Sequence, residues 1–184
     1  KGKTVGILGS GPIGLSVLLP ALAQGASRVF MTDKIDRRLD LAKKMGAAWI
    51  GNPDKQDVVA EINKAEAAQL DVVFECCGQQ EALDQSLEIL KPGGKLMIVG
   101  IPRSSRISFG IDRLRHKEIC IQNVRRQNHC VQPALDMIDN KEFDVMPMVT
   151  HRFSFEKSKE AMDLVADYQD GVVKAMIHFE GAEG

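Results

Sequence analysis

The stretch Thr4-Val5-Gly6-Ile7-Leu8-Gly9-Ser10-Gly11-Pro12-Ile13-Gly14 decides the architecture. A strand-length apolar run passes into glycines spaced G-x-G-x-x-G, and Leu15 to Gln24 then reads as a helix closed by Gly25. Strand, glycine turn and helix in that order build a corner suited to a phosphate. Gly9 permits the tight turn, Gly11 lets the backbone approach a pyrophosphate, and Gly14 lets the helix pack closely on the strand. Pro12 and Ile13 open the helix, whose first N–H groups lack intrahelical partners and carry a partial positive charge. Pro20 would clash with the carbonyl of Ser16, so the helix is expected to kink or break there.

Working outward, Arg28-Val29-Phe30-Met31-Thr32 forms a second strand closed by Asp33. Its distance from Gly14 is near the ~20 residues that separate a dinucleotide fingerprint from its acidic partner. A carboxylate there accepts from the adenosine ribose hydroxyls and repels a 2′-phosphate, which favours NAD over NADP. Lys34, Arg37 and Arg38 pull the other way, because a cation in this place stacks on adenine or meets a phosphate. The blander alternatives are a helix cap for Asp33 and a solvated face for the three cations. Further strands are expected at Ala48–Ile50, Asp71–Cys76, Lys95–Val99 and Glu118–Val124, with helices over Ile35–Met45, Asp57–Ala68, Gln80–Leu90 and Val131–Asn140. Strands and helices alternating at this spacing demand an α/β fold, a doubly wound parallel sheet of six strands covered on both faces.

The chain has 184 residues, whereas such a sheet with its helices takes roughly 130–150. The surplus falls at the end, where Met148–Phe153, Phe155–Tyr168 and Val172–Phe179 read as strand, amphipathic helix and strand. The expected division is therefore a dinucleotide-binding domain over residues 1–144 and a separate segment over 145–184. With 24 Lys+Arg against 25 Asp+Glu, there is no whole-domain positive field to hold a nucleic acid or an anionic membrane. No apolar run approaches a membrane span and no signal-peptide pattern opens the chain, so a cytoplasmic setting is expected. Lys1-Gly2 in place of Met reads as a cut from something longer. Cys76, Cys77, Cys120 and Cys130 lack a C-x-x-C spacing and are expected as free, buried thiols. With His116, His129, His151 and His178 scattered, a metal site made from this chain alone is not expected, His129-Cys130 being only a weak doublet. A methyl-donor loop would run G-x-G-x-G after an acidic residue two places before the first glycine, where Ile7 stands.

Beyond the glycine loop and Asp33 with Arg38, the residues Leu41–Ala47, Phe74-Glu75-Cys76-Cys77-Gly78, Leu90-Lys91-Pro92-Gly93-Gly94, Val99-Gly100-Ile101 and Lys174-Ala175-Met176-Ile177 are informative together. With them the chain resembles the C-terminal, NAD-binding Rossmann lobe of zinc-dependent medium-chain dehydrogenases, nearest to the sorbitol and threonine dehydrogenase group. The resemblance implies an enzyme that oxidises a secondary alcohol to a ketone by hydride transfer to NAD, with zinc polarising the alcohol oxygen. It implies zinc ligands in a lobe preceding the glycine loop, hence no catalytic residue and no metal ligand in this chain. The tail from Val145 resembles the segment returning to that catalytic lobe. Cys76 and Cys77 are implied to border the cofactor, Cys77 standing where relatives often have Thr or Val. Val99, Gly100 and Ile101 are implied to bring backbone groups to the nicotinamide. Arg126 resembles an arginine facing the substrate cleft of the polyol branch, against a plain surface arginine. Phe109, Leu114 and Ile119–Ile121 resemble a dimer-forming edge, so a homo-oligomer is expected. A standalone dinucleotide-binding or redox-sensing module and a zinc-independent reductase of the same superfamily stay open as alternatives.

Overall fold

Alternation along the first strand sends its side chains into two separate cores. In the computed structural model, which describes residues 1–179, β1 (Thr4–Leu8) is the third strand of the sheet, with Val5 and Ile7 in one apolar cluster and Leu8 in another. The same alternation in β2 (Arg28–Thr32) gives Val29 and Met31 to the first cluster and Phe30 to the second. The first cluster is closed by α1 (Pro12–Ala23) and α2 (Asp36–Lys44), through Leu15, Leu18 and Ala42. The second is closed by α3 (Val58–Ala65) and α4 (Gln80–Ile89), through Ile62, Leu83 and Leu87. Helices on both faces of a buried sheet are what right-handed parallel crossovers produce.

Six strands pair in parallel in the order β3-β2-β1-β4-β5-β6, where β3 is Trp49–Gly51, β4 Leu70–Glu75, β5 Leu90–Ile98 and β6 Cys120–Asn123. The expected fold class is observed. The order reverses between β1 and β4, and a crevice opens beyond the carboxyl ends of strands at such a point.

Several local expectations are corrected. α1 runs uninterrupted through Pro20 and starts at Pro12, not Leu15. Burying Leu15, Leu18 and Leu19 contributes together roughly 5–9 kcal/mol, which exceeds the ~3 kcal/mol cost of an interior proline. β5 begins at Leu90, because Leu90 pairs with Leu70 before a bulge at Lys91–Gly94 and the ladder resumes at Lys95. A helix not expected from the sequence, α5 (Ile111–Lys117), precedes β6. α6 (Val131–Asp139) forms as expected but has no buried residue, so the cover of the sheet stops short of its β6 edge. Of the four free cysteines only Cys76 is half-buried, and Cys77, Cys120 and Cys130 are exposed. Cys120 lies on the open edge strand and Cys130 on the uncovered approach to α6, which is why neither is enclosed.

The described residues after α6 fold as β7 (Val149–Ser154), α7 (Ser158–Ala166) and β8 (Lys174–His178), with β7 and β8 pairing in parallel as a two-stranded sheet, and residues 180–184 of the expected 145–184 segment lie outside the described residues. Between α7 and β8, Val172 and Val173 are buried, and Val173 joins the cluster under α1. Phe109, Leu114, Ile119 and Ile121 pack partly against the second core.

Candidate functional site

The carboxyl ends of β1 and β4 hold the glycine loop in place. Gly9 has φ 107°, a conformation that favours glycine, and its N–H donates to the Thr32 carbonyl at 2.9 Å. A Cβ on Gly14 would lie 1.8 Å from the Gly9 carbonyl oxygen, so helix and loop approach more closely than any side chain allows. Gly11 precedes α1 with no side-chain cap, and Pro12 occupies the first helical turn. The helix N-terminus therefore faces the crevice with backbone N–H groups and no competing side-chain acceptor.

Asp33 joins this loop to the next. Its carboxylate accepts from the Ser10 N–H at 2.7 Å and the Ile35 N–H at 2.9 Å. A carboxylate offers about four acceptor positions, so two such bonds leave capacity for ribose hydroxyls. The flanking cations all have partners. Lys34 pairs with Asp54 at 2.9 Å and with Glu81 at 3.5 Å. The Asp54 hydrogen bond and the Glu81 charge both hold its pKa above the usual lysine value. Arg37 pairs with Asp170. Arg38 is buried, and its Nε donates to the Val172 carbonyl at 2.9 Å, so the solvated-face alternative fails for that residue.

Glu75, which ends β4, organises the opposite wall. It is 1 % exposed, and its Oε1 accepts from the N–H groups of Cys77 at 2.7 Å and Gly78 at 2.6 Å and from the Cys77 thiol at 3.0 Å. Its carbonyl accepts from the N–H groups of Val99 and Gly100 at 2.9 and 2.8 Å. Any contact from those two backbone units to a ligand therefore comes from their carbonyls. A Cβ on Gly100 would fall 2.3 Å from the Gly78 nitrogen, and one on Gly78 2.5 Å from the Ile101 carbonyl oxygen, so the two loops touch backbone to backbone. Burial, then the Glu75 charge, pushes the Cys76 thiol up to about 12. Burial of the sulfur, the hydrogen bond to Glu75 and its charge raise Cys77 as well. Both sulfurs are protonated at neutral pH, and a thiolate is the reactive form.

Three adjoining depressions follow the crevice. One of about 340 Å³ is lined by Gly9, Asp33, Lys34, Arg38 and Cys77 and also by Arg103, which comes from the loop after β5. A second of about 330 Å³ brings Gly11, Pro12 and Ile13 together with Asp33, Arg38 and Cys76. The third, about 630 Å³, brings Ile13 and Cys76 to Val99, Gly100, Ile101 and Arg126. Every sequence-predicted site residue except Gly14 thus lines one of the three; Gly14 supports the loop from behind. Ile101 is 82 % exposed and Ile13 51 %, so the third depression has an open apolar side. Sequence reasoning missed Glu75, Arg103 and Tyr168, the last of which lines the first two depressions. Glu75 had one signal, a charge at the end of an otherwise apolar strand. Among the described residues, no cluster of three His, Cys, Asp or Glu side chains could hold a metal ion.

The sequence profile of zinc-binding dehydrogenases matches residues 12–140. The chain is 32 % identical over 178 residues to sorbitol dehydrogenase of Bacillus subtilis (strain 168), a match covering 96 % of this chain and 50 % of that protein. Among solved structures, an Escherichia coli oxidoreductase of unknown specificity superposes with TM-score 0.88 at 30 % identity, covering 98 % of this chain and 52 % of that one. A Sinorhizobium meliloti 1021 protein described as a zinc-binding dehydrogenase and solved with NADP superposes with TM-score 0.86 at 27 % identity, covering 96 % and 52 %. The chain spans about half the length of the curated relatives it matches.

Proposed function

The chain belongs to the zinc-binding dehydrogenase family, and from that membership we propose that it is the NAD-binding half of an alcohol or polyol dehydrogenase. The observation that carries this is the glycine cradle of Gly9, Gly11 and Gly14 facing Asp33 where the strand order reverses. The residues fit a dinucleotide. The N–H groups of Gly11 and Ile13, on either side of Pro12, which itself has no N–H to give, would take the pyrophosphate at the start of α1, and Asp33 the adenosine ribose. Carbonyls from Val99 to Ile101 would orient the nicotinamide end beside Cys76 and Cys77, while Arg38 would flank the adenosine. The bound nicotinamide supplies a hydride acceptor for a secondary alcohol. A polyol substrate is supported by the sorbitol dehydrogenase relative, with Arg126 at the mouth of the third depression as its contact.

NAD is preferred over NADP in this reading although one relative was solved with NADP. In it Asp33 takes the ribose, and the three cations beside it in sequence, Lys34, Arg37 and Arg38, are engaged by Asp54, Glu81, Asp170 and the Val172 carbonyl. Among the described residues, no cluster of donors fits a zinc site. Residues 145–184 would complete the lobe that carries the remaining chemistry, the expected division at 144 and 145 marking where they begin. The β6 edge would pair copies into a homo-oligomer, and the setting would be cytoplasmic; among the described residues no helix is long and apolar enough to cross a membrane.

Calorimetric titration of the 184-residue chain tests the reading. NADH is expected to bind and NADPH to bind more weakly, and Asp33→Ala to weaken NADH at least about tenfold, since hydrogen bonds to a charged group contribute ~1.5–3 kcal/mol. Tighter binding of NADPH would overturn the NAD assignment. Steady alcohol turnover by this chain alone would overturn its assignment as one half of the catalyst.

A further inference from the structure

Tyr168, the one tyrosine of the chain, lies far from the glycine fingerprint, just past α7, yet it lines both the adenosine-side and the pyrophosphate-side depressions. It is 56 % exposed and adopts φ 52°, a left-handed conformation uncommon for a bulky residue. The structure around it holds that conformation. The Arg38 guanidinium stands 5.3 Å from the ring centroid while donating to the Val172 carbonyl. Arg37 takes both the carbonyl and the carboxylate of Asp170. Gly171, at φ 66°, lies so close to α2 that a Cβ there would be 2.6 Å from the Arg37 Cβ. Val172 then anchors the turn in the core.

An aromatic ring backed by a cation and open to a nucleotide crevice has a physical use: a purine or ribose face can lie against it, while the Arg38 guanidinium stands over the ring. Resting on the dinucleotide reading, we propose that Tyr168 is a cofactor-binding residue that closes the crevice over the adenosine half of the dinucleotide. The cofactor site then includes the segment between α7 and β8, and the two arginines of α2 serve to seat that wall.

The test is titration of the full chain with NADH and with ADP-ribose, comparing the unaltered protein with Tyr168→Ala and Tyr168→Phe, each checked by its melting transition. Tyr168→Ala is expected to weaken both ligands by the same factor, about tenfold or more, and Tyr168→Phe to stay within about twofold of the unaltered chain. In the unaltered chain, ADP-ribose is expected to protect Tyr168 from nitration, read as a mass shift at a unique residue. Affinity unchanged in Tyr168→Ala, no protection from nitration, or a Phe variant as weak as the Ala variant would overturn the assignment of the ring. Weakening of NADH without weakening of ADP-ribose would overturn the assignment to the adenosine half. If the unaltered chain binds neither ligand, the dinucleotide reading itself falls and this inference with it.

Discussion

Leu83 on α4 and Leu135 on α6 are the same residue on two short amphipathic helices, but Leu83 is 2 % exposed and Leu135 48 %. α4 returns over β4 and β5, where its apolar stripe meets Leu70, Leu90 and Leu96. α6 follows the edge strand and buries nothing among the described residues. Periodicity announces that a helix has an apolar face; only topology says whether a surface is there to receive it. The molecule accordingly has two regions of different character. β1 to β5 with α1 to α4 enclose two cores, whereas β6, α6 and the β7-α7-β8 segment present apolar side chains such as Val131, Phe155 and Met162 to solvent.

The largest expected effect tests that contrast directly. Leu83→Ala is expected to cost about 2–5 kcal/mol of unfolding free energy, the usual range for emptying a buried leucine site. Leu135→Ala is expected to stay within about 0.5 kcal/mol, as for a surface change. Urea denaturation of both variants measures the difference. Equal losses would show that the α6 face is covered in solution, by another copy or otherwise, and would erase the distinction between the regions.

What was readable beforehand follows the same line. The glycine turn, Asp33 and most elements were legible because their signals are local: a spacing, an apolar period, a proline and two glycines. Residues 111–117 carry only Ile111 and Leu114 as large apolar positions, too few to announce a helix, and α5 was missed. The partner of Arg38 is a carbonyl 134 positions away, so its burial could not be read from its charged neighbours. Glu75 closes an apolar strand, but its role depends on three donors that the β4–α4 turn folds back onto it. Of the kink or break expected at Pro20, the break is absent, because the core that α1 covers outbalances the local clash.

Carboxylates sharpen the comparison at a smaller scale. Asp71, at the amino ends of β1 and β4 and away from the crevice, has a side chain only 12 % exposed. It accepts from the Thr4 N–H at 2.9 Å, the Thr4 hydroxyl at 3.1 Å and Lys3 at 2.9 Å, and pairs with Lys91. Burial raises its pKa, but the bonds from Lys91, Thr4 and Lys3 outweigh that and hold it well below the usual carboxylate range. A carboxyl whose folded pKa is lowered contributes stability above its unfolded value, ~3.9, and loses it as pH falls through the folded value. Asp71→Asn is therefore expected to cost about 1–2 kcal/mol at neutral pH, discounted for the exposed lysines. The gap from the unaltered chain is expected to close as pH falls below ~4. Asp163, paired with Lys159 on the open surface of α7, is expected to show no measurable change when made Asn. A pH-independent gap at Asp71 would assign its contribution to shape instead of charge.

The smallest effect on folding concerns the α6 face itself. Leu135 and Ile138 lie three positions apart on that helix, 48 % and 38 % exposed, with Val131 four positions before Leu135 at 52 %. Residues at those intervals share one side of a helix, so the three form a continuous apolar strip that water alone does not favour. Replacing Leu135 and Ile138 together by Lys removes the strip without touching either core. Unfolding free energy is expected to change by less than about 0.5 kcal/mol, while concentration-dependent self-association, followed by sedimentation velocity, is expected to fall. If the double variant unfolds much more readily, the helix is packed on the rest of the chain and the second region is as enclosed as the first. If sedimentation is unchanged at all concentrations, the strip does not drive association, and any oligomer must form elsewhere, the β6 edge being the surface left to test.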